Sequence, residues 1–145
     1  MTRSTLLTML IAVGWAALWT ITVTWADSRG NMSGTFGSFP QTTGKELYDS
    51  ICQGCHMPDG RGATGAAAYP ALTNDAKLAA AGYPVYLVVY GENAMPGFGG
   101  FLNDEQVAAV VNYVRTNFGN HYTDAVKPDD VKAIRQPGYE YSPLE

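Results

Sequence analysis

At 145 residues, the chain has room for one small domain with appendages. Its apolar share (46%) and charged share (15%) exclude a disordered chain, and sixteen Gly and eight Pro call for much loop. The formal net charge of -4 lacks the basic balance of a nucleic-acid binder, so no nucleic-acid partner is expected.

The chain opens with one positive charge, Arg3, followed by an uncharged run of 21 residues, 6–26. Residues 1–26 have the order of a secretory signal, with Thr24-Trp25-Ala26 as the cut site. The run is also long enough for an N-terminal membrane anchor, with Trp19 and Trp25 at the outer interface. Either reading puts the rest of the chain in the periplasm, soluble or tethered to the cytoplasmic membrane. Residues 27–41 carry Gly and Ser without apolar periodicity and read as a flexible leader.

Thr43-Gly44-Lys45-Glu46 fits a capping box, and Leu47, Tyr48 and Ile51 then share one helical face. Gly60, Gly62 and Gly65 mark an open loop. Residues 74–81 suit a short helix ended by Gly82, while 85–90 suit a strand by composition or a short helix by flanks. Residues 92–100 are too rich in Gly and Pro to be regular. Asn103-Asp104-Glu105-Gln106 is a second capping sequence, opening a helix through Val107, Val110, Val111, Val114 and Phe118 that Gly119 closes. The tail, 121–145, holds a further helix over 128–135, with Asp129 and Asp130 early and Lys132 and Arg135 late.

Chemistry concentrates in Cys52-Gln53-Gly54-Cys55-His56, which has the spacing of a c-type haem attachment site. Two thiols add across the two vinyl groups of one haem, and His56 comes to lie under the iron. Zinc would need about four ligands, and the chain holds two Cys and two His. A thioredoxin-like pair would sit near a βαβ pattern, which is absent here. With both cysteines in this stretch, no disulfide framework and no spare thiol remain.

On this motif, residues 42–120 resemble a small class I cytochrome c: an all-α helical fold wrapped around one covalent haem, with iron. The resemblance implies haem on Cys52 and Cys55, His56 as proximal ligand, and a Met as sixth ligand in the irregular loop before the last core helix, where Met95-Pro96 stands. His121 or an open site are the alternatives. It further implies that the Pro70 carbonyl accepts from the free nitrogen of His56, and that Gly44 lies against Tyr113 where the first and last helices cross, with Tyr48 beside them. Arg61 is a weaker candidate, for a haem propionate.

An iron with both axial positions filled does no bond chemistry. The expected role is therefore not enzymatic but that of a one-electron carrier, with Leu72, Tyr83, Met95, Pro96 and Phe98 bordering the haem edge. The stretch 119–135 is similar to the ends of cytochrome subunits of periplasmic dehydrogenases. This implies redox partners: a dehydrogenase subunit as donor, and a terminal oxidase or quinone-linked complex of the respiratory chain as acceptor. The alternative function is a haem enzyme or sensor with an open sixth site.

Overall fold

The structure is a computed structural model that describes residues 39–65 and 68–137. The signal or anchor segment and residues 27–38 of the leader lie outside the described residues. Among the described residues helix predominates, as the all-α reading requires, and the strands are four two-residue pieces.

The first helix, α1, runs over 44–56. Thr43 and Glu46 form the expected box: the Thr43 hydroxyl accepts from the Glu46 amide at 3.3 Å, and the carboxylate accepts from Thr43 in return. Its middle, Tyr48–Cys52, widens into a π turn, with the Gln53 amide reaching back to the Tyr48 carbonyl. One inserted residue of this kind re-aims the side chains that follow it and is frequent at functional sites. Met57, at φ 65°, ends the helix, and the Tyr48 hydroxyl donates to its carbonyl at 2.7 Å.

Two short antiparallel pairs follow the open loops. β1, Ala63–Thr64, pairs with β2, Ala68–Tyr69. Between them and the next helix, Asp75 caps a 3-10 turn over Ala76–Ala79. Gly82 opens α2, Gly82–Tyr90, rather than ending the helix before it. The residues 85–90 are therefore helical despite their Val and Tyr, because Val85 and Val89, four apart, both enter the core. Pro84 occupies the third helical position, where an amide would have no partner within the helix. β3, Gly91–Glu92, then pairs with β4, Met95–Pro96.

Helix α3, Asp104–Thr116, starts at the predicted Asn103–Gln106 box. Val107, Val110, Val111 and Val114 pack against Leu47 and Tyr48 of α1 in one core. The helices touch at Gly44, where an added Cβ would lie 2.1 Å from the Ala109 carbonyl oxygen and 2.7 Å from the Tyr113 Cβ. Phe118 is not on α3 as the spacing suggested. It adopts φ 57° beyond the helix end, and its ring packs 4.8 Å from Tyr48 and 5.7 Å from Tyr113, centroid to centroid.

Residues 120–137 are docked onto the domain. Helix α4, Pro128–Ile134, buries Val131 completely, and Val126 joins the same core. Arg115, 1% exposed, donates to the Leu78 carbonyl at 2.9 Å and to the Asp124 carboxylate at 2.7 Å, under the ring of Tyr122. At the other end of the described chain, Gln106 donates to the Phe39 and Gln41 carbonyls at 2.6 and 2.8 Å, so residues 39–41 of the leader are held as well. Among the described residues no helix is long and apolar enough to cross a membrane.

Candidate haem-binding site

The π turn and the last turn of α1 present the motif. Cys52 is half-buried and Cys55 exposed, and both are free thiols. Burial pushes the Cys52 thiol up to about 12, with Cys55 adding to the effect. A thiol poised for redox exchange has the opposite, a depressed pKa. Among the described residues no three His, Cys, Asp or Glu side chains are grouped to hold a metal by themselves.

His56 is nearly buried, and its Nδ1 lies 2.9 Å from the Pro70 carbonyl oxygen. A carbonyl can only accept, so Nδ1 carries a proton, and in the neutral ring Nε2 then keeps its lone pair. That is the tautomer a metal-ligating histidine uses, with a backbone partner fixing the ring. The donor set therefore fits an iron porphyrin: two thiols two residues apart, and an oriented imidazole next in sequence.

The carbonyl is itself held in place. Gly62 sits at φ 64°, and a Cβ there would lie 2.1 Å from the Tyr69 oxygen and 2.7 Å from the Pro70 carbonyl carbon. Its amide donates to the His56 carbonyl at 3.0 Å, so one residue touches both ends of the His56–Pro70 link. The role of Gly62 was not legible in the sequence. The three loop glycines were visible, but only the fold shows which one lies against Pro70.

Arg61 turns to its neighbour instead of to the motif: its guanidinium is 3.4 Å from the Asp59 carboxylate, and both side chains are well exposed. It lines a cleft of about 500 Å³ that also takes in Gly62, Tyr69 and Pro70. Met95 is half-buried on β4, across from Glu92 in the hairpin that follows α2. His121 is exposed. The structure thus brings His56 to Pro70 and Gly44 to Tyr113, and leaves Arg61 with Asp59.

A short helical domain whose first helix carries this pair of thiols beside a carbonyl-oriented histidine is a c-type cytochrome domain. The chain belongs to the family described as cytochrome c oxidase, cbb3-type, subunit III, which matches residues 40–114. As in other c-type cytochromes, its cofactor is covalently bound haem c. The chain is 32% identical over 112 residues to the fructose dehydrogenase cytochrome subunit of Gluconobacter japonicus, covering 67% of this chain and 23% of that one. It is 35% identical over 106 residues to the gluconate 2-dehydrogenase cytochrome c subunit of Pantoea cypripedii, covering 65% and 24%. A shorter match, 51% over 35 residues, is to cytochrome c6 of Diacronema lutheri, covering 24% and 42%. The chain spans about a quarter of the length of the two dehydrogenase subunits.

Proposed function

We propose that the chain is a periplasmic one-electron carrier whose haem is bonded to Cys52 and Cys55 and whose iron is held between His56 and Met95. The observation that carries this reading is the 2.9 Å contact of His56 Nδ1 with the Pro70 carbonyl, which leaves Nε2 for the iron. Haem c, when bound, supplies an iron that cycles between two oxidation states one electron apart. The chain's own residues do the rest. Cys52 and Cys55 retain the group, Pro70 sets the His56 ring and raises its basicity, and Met95 offers a soft thioether that favours the reduced metal. Leu72, Tyr83, Met95 and Phe98, all half-buried, and the exposed Pro96 are the residues assigned to the haem edge.

The named relatives are dehydrogenase cytochrome subunits, which supports a dehydrogenase subunit as donor. The acceptor in this reading is a terminal oxidase or quinone-linked complex. Residues 6–26 serve as a cleaved signal or as the tether, 27–41 as leader, and 42–120 with the docked tail as the electron-carrying unit. The ligand pair is tested by Met95→His: the ferric protein should lose its weak far-red sulfur-to-iron band, and its potential should fall sharply while haem is retained. An unchanged spectrum and potential would show that Met95 is not the ligand.

A further inference from the structure

The segment that carries Met95 begins at Gly91 and runs to Leu102, and the docked tail grips both of its ends. At the start, the hydroxyl of Tyr90 donates to the Ile134 carbonyl at 2.9 Å and accepts from the Gln136 amide at 2.5 Å. At the far end, Arg135 donates through three different nitrogens. Nη1 reaches the Gly99 carbonyl at 2.6 Å, Nη2 the Leu102 carbonyl at 2.7 Å, and Nε the Asp104 carboxylate at 2.5 Å. The Arg135 side chain is only 8% exposed, so these bonds are made largely out of water.

Between those ends, the backbone after Met95 is laid on the end of α2. The Phe98 and Gly99 amides donate to the Val88 and Val89 carbonyls at 2.8 and 3.0 Å, which that helix end leaves without partners of its own. Gly97 permits the approach: a Cβ there would fall 2.7 Å from the Tyr90 carbonyl carbon. The amides of the segment thus bond to α2, and its carbonyls at 99 and 102 point to Arg135. A guanidinium suits this task because its planar fork serves several acceptors at once in fixed directions.

We propose that Arg135 is a positioning residue for the sixth ligand: it fixes the 97–102 backbone and thereby holds the Met95 sulfur against displacement. The inference rests on the reading of Met95 as a ligand. It gives the tail a direct part in the electron-carrying site, although Arg135 lies 40 residues beyond Met95.

Imidazole added to the ferric, haem-loaded protein measures how readily the thioether is displaced. Arg135→Ala should raise the imidazole affinity at least tenfold and weaken the far-red band. Arg135→Lys keeps a charge for Asp104 without the fork, so it should show the same gain, and it serves if the Ala variant does not fold. Val126→Ala is the control. It removes buried methyl groups where the Val126 backbone bonds to the Asn112 side chain, about 12 Å along α3 from Asp104 at 1.5 Å per residue. It should lower the melting temperature and leave imidazole affinity unchanged. The proposal is overturned if both Arg135 variants bind imidazole as the parent does, or if Val126→Ala shows an equal gain. Met95→Ala separates the two levels: if it does not raise imidazole affinity, the ligand reading has failed, and the proposal with it.

Discussion

Replacing Gly44 by Ala probes the crossing on which the helical frame rests. In an unconstrained helix interior the change would add up to about 1 kcal/mol of stability. Here the new methyl group would lie 2.1 Å from the backbone oxygen of Ala109 and 2.8 Å from its carbonyl carbon. Neither is a side chain that can rotate away, so α1 and α3 must separate by about 1 Å in a core packed like a solid. Overpacking of this kind costs about 1–3 kcal/mol, and backbone contact places Gly44→Ala in the upper half. A net loss of about 2 kcal/mol would lower the urea midpoint by about 1 M at a slope near 2 kcal/mol per M. The assay is urea unfolding of the haem-loaded protein followed by far-ultraviolet circular dichroism. Gly54→Ala is the partner experiment: nothing lies within 4 Å of a Cβ there, so the midpoint should stay or rise. A Gly44→Ala midpoint at or above the parent value would refute the close crossing.

Gly62→Ala should push the Pro70 carbonyl off His56, reduce the basicity of the ring and raise the reduction potential; a redox titration unchanged from the parent would deny Gly62 that role. The hydrogen bond from Arg115 holds the Asp124 carboxyl below its usual range, with desolvation opposing it. A carboxyl with a depressed folded pKa adds stability above its unfolded value of about 3.9, and that stability is lost as pH falls through the folded value. Asp124→Asn should therefore be less stable than the parent at about pH 6, and the gap should shrink as pH falls through the folded value; a gap independent of pH in denaturant titrations would contradict the pairing. Mild-detergent purification from native cells, followed by mass spectrometry, should recover a dehydrogenase in stoichiometric amount, whereas repeated recovery of the haem protein alone would point to a free shuttle.

Local chemistry was the legible part of this chain. The Thr43–Glu46 and Asn103–Gln106 boxes are each written within four residues, and both formed. The valines of α3 mark their face by spacing alone, and the resemblance carried Pro70 to His56 and Gly44 to Tyr113. What stayed hidden depends on contacts remote in sequence. Residues 85–90 became helix because Val85 and Val89 found the core, which composition does not record. Phe118 left the helical path to join Tyr48 and Tyr113. The tail looked like an appendage because its attachments run through Arg115 and Arg135, whose partners include residues 31 to 37 positions away. A lone basic residue on a helix, or just past its end, reads as a dipole partner or a solvated charge. Only the fold reveals that it bonds to buried carbonyls.

The most direct test of the central assignment is mass spectrometry of the protease-derived peptide spanning 52–56 from the native protein. It should carry one haem through two thioether bonds, resist reducing agents and contain no free thiol. A peptide with the unmodified mass and two titratable thiols would contradict the assignment of this chain's cofactor to Cys52 and Cys55.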